Sequence, residues 1–405
     1  MRANLRTALP VTSMEKLSAR PFWLVGFRPF FTLACLSGMV LPLLWVLVLG
    51  GHLSLPNRAP SPPFSPLQWH AHEMLFGFGW AVLAGFLLTA TKNWVGIRGY
   101  HGGVLMVLVA LWLLERIAMW FAGALPPIVF RVANNAFLAA IVALLLYTLL
   151  RHRASDSYRT SNWAFVLILP AFIVAKQLVL SDTHFAAGVS IAIGLYRVAF
   201  VVMLERTLTQ FMKNVFGVSL LRNAFIDRAI LLLALVFVGE VFYPRVVAGS
   251  VALALATLLL VRLLFWRPDL AMRRLDIGIM FLGYGAIVAQ LAIEAAATFA
   301  PPDWVGSVSV HVFGFGAMGL VIPAMFTRIC NGHTGRKVVF GPLDKAVLWI
   351  MMSAFVVRVG ATQLDPAHYL RWIDAAAACW FVAFGALAWR YVPYLLAARI
   401  DGREH

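Results

Sequence analysis

The chain is short of charge, of acid and of cysteine. Only 12% of its 405 residues are Asp, Glu, Lys or Arg, about half the usual soluble share, which leaves too little polar surface to cover the core that this length would bury. A soluble chain is thereby excluded. The three cysteines, Cys35, Cys330 and Cys379, stand apart and form no CxxC, which excludes a thiolate zinc site, a covalently attached c-type haem and a disulfide scaffold. Any haem is held by coordination and packing. Collagen-like and disordered classes fall away as well, because there is no glycine repeat and Leu, Phe and Trp are abundant.

What the chain has is long apolar runs, 62% of its residues being hydrophobic. A membrane-spanning helix needs roughly 20 apolar residues. Twelve such stretches are found: Phe30 to Gly50, Leu67 to Thr91, Gly102 to Ala122, Ile128 to Leu150, Asn162 to Leu180, Phe185 to Thr209, Ala224 to Phe242, Val246 to Phe265, Asp276 to Phe299, Trp304 to Thr327, Leu343 to Thr362 and Tyr369 to Leu396. The sequence therefore predicts an all-α polytopic membrane protein of twelve transmembrane helices. It forms a single integral membrane domain over 1–405, with an N-terminal segment at 1–22, the bundle at 23–398 and a tail at 399–405. The first 22 residues are basic and broken by Pro10 and Pro21, so they do not read as a cleavable signal peptide.

Lys and Arg near helix ends are retained in the cytoplasm, and here they alternate loop by loop. Arg2, Arg6, Lys16 and Arg20 precede the first stretch; Lys92 and Arg98 follow the second; Arg151, Arg153 and Arg159 the fourth; Lys213 and Arg222 the sixth. Arg267, Arg273 and Arg274 follow the eighth, Arg336, Lys337 and Lys345 the tenth, and Arg399 and Arg403 end the chain. The opposite loops hold little beyond Arg58, Arg245 and Arg371. Both termini are expected in the cytoplasm, N-in and C-in. The net charge of +16 is then a topology signal with attraction to anionic lipid, and does not point to nucleic acid.

Polar residues at membrane depth are costly and mark sites or pairs. Of the ten histidines, only His70 and His72 in WHAHEMLFGF and His311 in SVHVFGFGAMG fall inside stretches. At 1.5 Å per residue, His72 and His311 each sit about 8 to 10 Å below the outer end. Neutral imidazoles at matched depth on two helices are able to share one metal, such as the iron of a b-type haem; the alternative is an interfacial hydrogen bonder on each helix. On a regular helix His70 and His72 point about 200° apart, so both cannot face one haem. His72 and His311 are then the axial pair. His70 shares a face with Glu73 and Met74, as a small-ion or proton site or as a simple hydrogen-bonded pair. Arg131 and Arg358 lie toward the outer side and are candidate clamps for haem propionates, or interfacial anchors. Glu115, Arg116, Lys176, Arg197, Glu205, Arg206 and Glu294 are further charges inside stretches, expected to pair or to line a polar interior. Asn331 to Arg336 form a compact polar turn that either binds an anion or reverses the chain.

The strings FRPFF (Phe27 to Phe31), WHAHEMLFGF (Trp69 to Phe78), AGFLLTATKNW (Ala84 to Trp94) and GHTGR (Gly332 to Arg336) resemble the NnrS family of bacterial inner-membrane proteins. The resemblance implies a haem- and copper-containing membrane protein of nitric oxide metabolism and denitrification that protects against nitrosative stress. His72 and His311 look like haem-ligand positions of the haem-copper oxidase main subunit, to which the family is distantly similar. That fold implies three pseudo-repeats of four helices, and similar stretches recur here from His72 to Asn93, Gly194 to Asn214 and His311 to Asn331. The sixth and seventh stretches contain no histidine, which argues against a tri-histidine copper centre; copper is placed only loosely, on His70 with His52, His184 or His368. One haem b, nitric oxide and quinol are the implied cofactor and partners. A transporter with Glu115, Arg197 and Glu205 along its path, and a non-catalytic sensor or assembly factor, are the competing readings.

Overall fold

The structure is a computed structural model and describes residues 20–56 and 63–404. Arg2, Arg6, Lys16, Arg58 and His405, with most of the N-terminal segment expected at 1–22, lie outside the described residues. The described residues form helices and connecting turns with no strand. In a bilayer this is the economical solution, because each helix satisfies its own backbone groups.

The main helices are α1 (Phe27–Leu49), α2 (Pro66–Val95), α3 (Gly103–Trp120), α4 (Pro127–Arg151), α5 (Arg159–Val179) and α6 (Phe185–Phe216). They continue as α7 (Ala224–Val238), α8 (Arg245–Phe265), α9 (Leu275–Phe299), α10 (Val308–Gly332), α11 (Pro342–Leu364) and α12 (Tyr369–Leu396). All twelve apolar stretches are helical, but only eleven helices among the described residues are long and apolar enough to cross a membrane. The exception is α7. Its 15 residues rise about 22 Å, short of a hydrocarbon core of about 30 Å. The stretch expected to run to Phe242 ends because Gly239 interrupts it and a short 3-10 turn takes over Glu240–Phe242.

Local chemistry sets the ends. Ser65 caps α2 reciprocally with Gln68, and Pro66 occupies the first turn, where its missing N–H costs nothing. At the other end Gly96 adopts φ +72°, a left-handed stop that a residue with a side chain would resist.

Each helix packs on its neighbours in the chain, and α12 returns to lie along α1. On the inside, α2, α6 and α10 face a central space lined by their own side chains. The signature strings are packing elements of this frame. The Thr89 hydroxyl accepts from the Phe27 N–H at 3.1 Å, and a side chain at Gly85 would collide with Phe31. Arg28, buried at the start of α1, donates to the Leu395 and Ala397 carbonyls at 2.8 and 2.6 Å, holding the otherwise unpaired end of α12.

Three membrane helices contain a π-helical segment. These are Glu73–Gly79 in α2, Val312–Met318 in α10 and Val357–Ala361 in α11. The first two begin directly after His72 and His311, so these histidines occupy equivalent places on their helices. Helix α6 is α-helical throughout and lacks the feature, so it does not extend to a threefold repeat.

Candidate functional site: two histidine sites on neighbouring faces of α2

His72 is fully buried in a polar group built by α2, α3, α4 and α5. Its Nδ1 lies 3.2 Å from Glu73 Oε1, and its Nε2 lies 3.1 Å from Asn134 Nδ2 and 3.5 Å from Glu115 Oε1. A neutral ring that donates from Nδ1 to the carboxylate and accepts at Nε2 from the amide satisfies both nitrogens. Two carboxylates face two cations: Lys176 Nζ reaches Glu115 at 2.5 Å and also donates to the Asn134 carbonyl, while Arg116 lies 2.7 Å from Glu115 and 3.2 Å from Glu73. Burial of so many charges is tolerable only because the group is paired and balanced. The wide turn after His72 assists. There the Gly77 carbonyl accepts from Trp112 Nε1 at 3.2 Å as well as from the Trp80 N–H, and the Leu75 carbonyl accepts from the Tyr196 hydroxyl at 2.5 Å. A Cβ at Gly77 would stand 2.1 Å from an Arg116 nitrogen and push that guanidinium off its carboxylates.

His311, at the corresponding place on α10, has different company. Its Nδ1 lies 2.8 Å from the Ser307 carbonyl, which only accepts, so the proton sits on Nδ1 and Nε2 carries the lone pair. Arg358, buried in the π segment of α11, places Nη2 3.1 Å from both ring nitrogens and reaches toward the Tyr369 hydroxyl at 3.5 Å. His70, on α2, stacks on Trp45 with ring centroids 4.2 Å apart. Three residues beyond His311, a Cβ added at Gly314 would meet nothing within 4 Å, so one side of this site is open.

The structure thus brings together His311 and Arg358, and separately His72 with Glu73. It does not bring His72 to His311, and Glu73 partners His72 where His70 was expected. Glu73 goes to His72 because Arg116 and Lys176 lie on that side and draw the carboxylate there, while the regular helix through His72 leaves His70 and His72 on different sides, as their spacing predicts. Arg131 is exposed in the first turn of α4 and belongs to neither group, which leaves it as an interfacial residue. Asn134, Trp45, Ser307 and Tyr369 were not anticipated; of these only Asn134, an amide inside an apolar run, carried a signal in the sequence.

His72 is engaged at both nitrogens by Glu73 and Asn134 inside a fully buried ionic group, so a haem on His72 would have to displace that set. His311 offers a ligand position if Arg358 moves off its Nε2: its Nδ1 is anchored on the Ser307 carbonyl, as metal-bound imidazoles require, and open space adjoins Gly314. His70 fits as its partner, since no described residue hydrogen-bonds to its ring. No group of three or more His, Cys, Asp or Glu that would enclose a copper ion occurs among the described residues.

The remaining buried charges form separate groups rather than one path. Arg197 donates to Gln290 at 3.1 Å, and Gln290 to Glu294 at 3.1 Å and Ser309 at 2.9 Å, whereas Glu205 pairs with Arg222. Glu115, Arg197 and Glu205 therefore do not line a common channel.

An all-helical polytopic membrane protein with histidine and ionic groups held at membrane depth is the class that this fold and site define. The chain belongs to the NnrS protein family, whose model matches residues 21–399. No curated protein matches it. Membership supports a nitric oxide-related role for this membrane protein.

Proposed function

We propose that this is a b-type haem protein of the bacterial cytoplasmic membrane, N-in and C-in, acting in nitric oxide metabolism and protection against nitrosative stress. The observation that supports it is the His311 site: an imidazole fixed on the Ser307 carbonyl, with the buried Arg358 guanidinium beside it and an open glycine face. His311 and His70 would hold the haem. When bound, it would supply one-electron chemistry and a place for nitric oxide. The chain's own contributions are distinct. Ser307 sets the tautomer of His311, Trp45 fixes the plane of His70, and Arg358 supplies a buried cation suited to a propionate. The balanced group around His72 and Glu73 holds α2 rigidly against α3, α4 and α5, so that His70 on the neighbouring face keeps its position.

The test is a pyridine haemochrome on the purified protein, followed by a spectrum with nitric oxide. One haem b per chain whose Soret band shifts with nitric oxide supports the proposal; a folded preparation that takes up no haem overturns it. Copper and quinol belong to the same proposal only as implied by the family.

A further inference from the structure

At the end of the bundle that carries the basic loops, α2, α6 and α10 open into a cavity of about 630 Å³. From His311 to Arg328 at its wall is about 25 Å along α10, so it is separate from the histidine site. Arg206, Arg274, Arg328 and His333 line it, and no Asp or Glu does. Its cations are under-neutralised. Arg274 and Arg328 share the single carboxylate of Asp276, at 3.1 and 2.5 Å. Arg206 is bound only by neutral oxygens, Ser161 Oγ at 2.6 Å and Asn162 Oδ1 at 2.8 Å, and its Nη1 is buried without a partner; Glu205, next in the chain, is committed to Arg222. The rings of Trp94 and Tyr158, 4.8 and 4.2 Å from the guanidinium, hold Arg206 in place.

The cavity does not end at this charged mouth. Phe86, Met203, Thr207, Met325 and Ile329 line it and also line a narrower apolar cavity, which runs between the same helices to Gly79, Tyr196 and Met318. From Arg206 to Tyr196 on α6, and from Arg328 to Met318 on α10, the throat is about 15 Å long. A cationic mouth without acids selects an anion, and a throat whose two hydroxyls, Thr207 and Tyr196, are committed to backbone carbonyls selects an alkyl chain.

We infer that this cavity binds an amphiphilic anion, with a phosphate or carboxylate head among Arg206, Arg274 and Arg328 and one alkyl chain in the throat. The experiment is native mass spectrometry of the full chain in neutral detergent with dodecyl phosphate as probe, and with dodecanol and inorganic phosphate as controls. One dodecyl phosphate is retained per chain, and dodecanol is held at least about tenfold more weakly because it lacks the charge-assisted bonds. Arg206→Gln weakens retention about tenfold on the same ground. Thr207→Phe, which fills the junction of mouth and throat and leaves every arginine in place, abolishes it; this second variant covers the case in which Arg206→Gln fails to fold. Equal retention of dodecanol would overturn the reading of the mouth. Displacement of the probe by inorganic phosphate alone, or wild-type retention in Thr207→Phe, would overturn the reading of the throat.

Discussion

Glu115 and Lys176 meet at 2.5 Å between α3 and α5, with neither side chain exposed. Around them Glu73 and Arg116 complete a set of two acids and two bases, and His72 is held between the acids.

Removing one member uncovers a charge in low dielectric. Lys176→Met is expected to cost about 3–5 kcal/mol, read as a lower midpoint in thermal unfolding followed by tryptophan fluorescence. Adding Glu115→Gln restores the balance, because Glu73 and Arg116 still face each other, and the double variant recovers most of the loss. A double variant no more stable than Lys176→Met would show that the pair does not act as a unit.

Two glycines in equivalent π segments are expected to respond oppositely. Gly77→Ala drives a methyl into Arg116 and costs about 1–3 kcal/mol. Gly314→Ala meets nothing and leaves stability within about 1 kcal/mol, yet it narrows the open face beside His311 and lowers haem retention. Full haem retention in Gly314→Ala would place the ligand elsewhere.

The C-terminal segment docks on the GHTGR turn. The Arg399 guanidinium donates to the His333 carbonyl at 2.9 Å, and the Ile400 N–H to the Thr334 carbonyl at 3.2 Å. Burial, with Lys92 and Arg399 nearby, pushes the His333 imidazole down to about 4. An unfolded histidine titrates near 6.5, so between these values the undocked state binds more protons and docking weakens as the pH falls. Asp401, held down to about 2 by Arg399, stays ionised in the docked state, and its undocked carboxyl begins to protonate only near pH 4, where it adds to the weakening in the same direction. Limited proteolysis of the tail is predicted to quicken from pH 6.5 toward 4. A rate that stays flat across that range would remove His333 from the account.

The layers of this protein differ in how far the chain reveals them. Apolar runs marked the place of every helix, because hydrocarbon thickness acts on each helix independently, but α6 runs on from the expected Thr209 to Phe216, and α7 is shorter than expected since Gly239 ends it without changing the composition. His311 and Arg358 were legible as polar residues at depth, and the structure brings them to 3.1 Å. The turning apart of His70 and His72 was legible from their spacing, since both lie in the regular part of α2 ahead of the π segment; which of them Glu73 joins was not, because it depends on Arg116 and Lys176 from other helices. Arg131 misled for a related reason, since depth along a helix says nothing of the side on which a side chain lies.

The choice between the two imidazoles of α2 is the central claim, and the reduced-minus-oxidised spectrum of three single variants tests it most directly. His70→Ala and His311→Ala are predicted to lose the haem or convert it to high spin, while His72→Gln, which keeps a polar group between Glu73 and Asn134, retains the wild-type bands. Loss of the bands in His72→Gln together with wild-type spectra in His70→Ala would contradict the assignment and return the ligand to the buried ionic group.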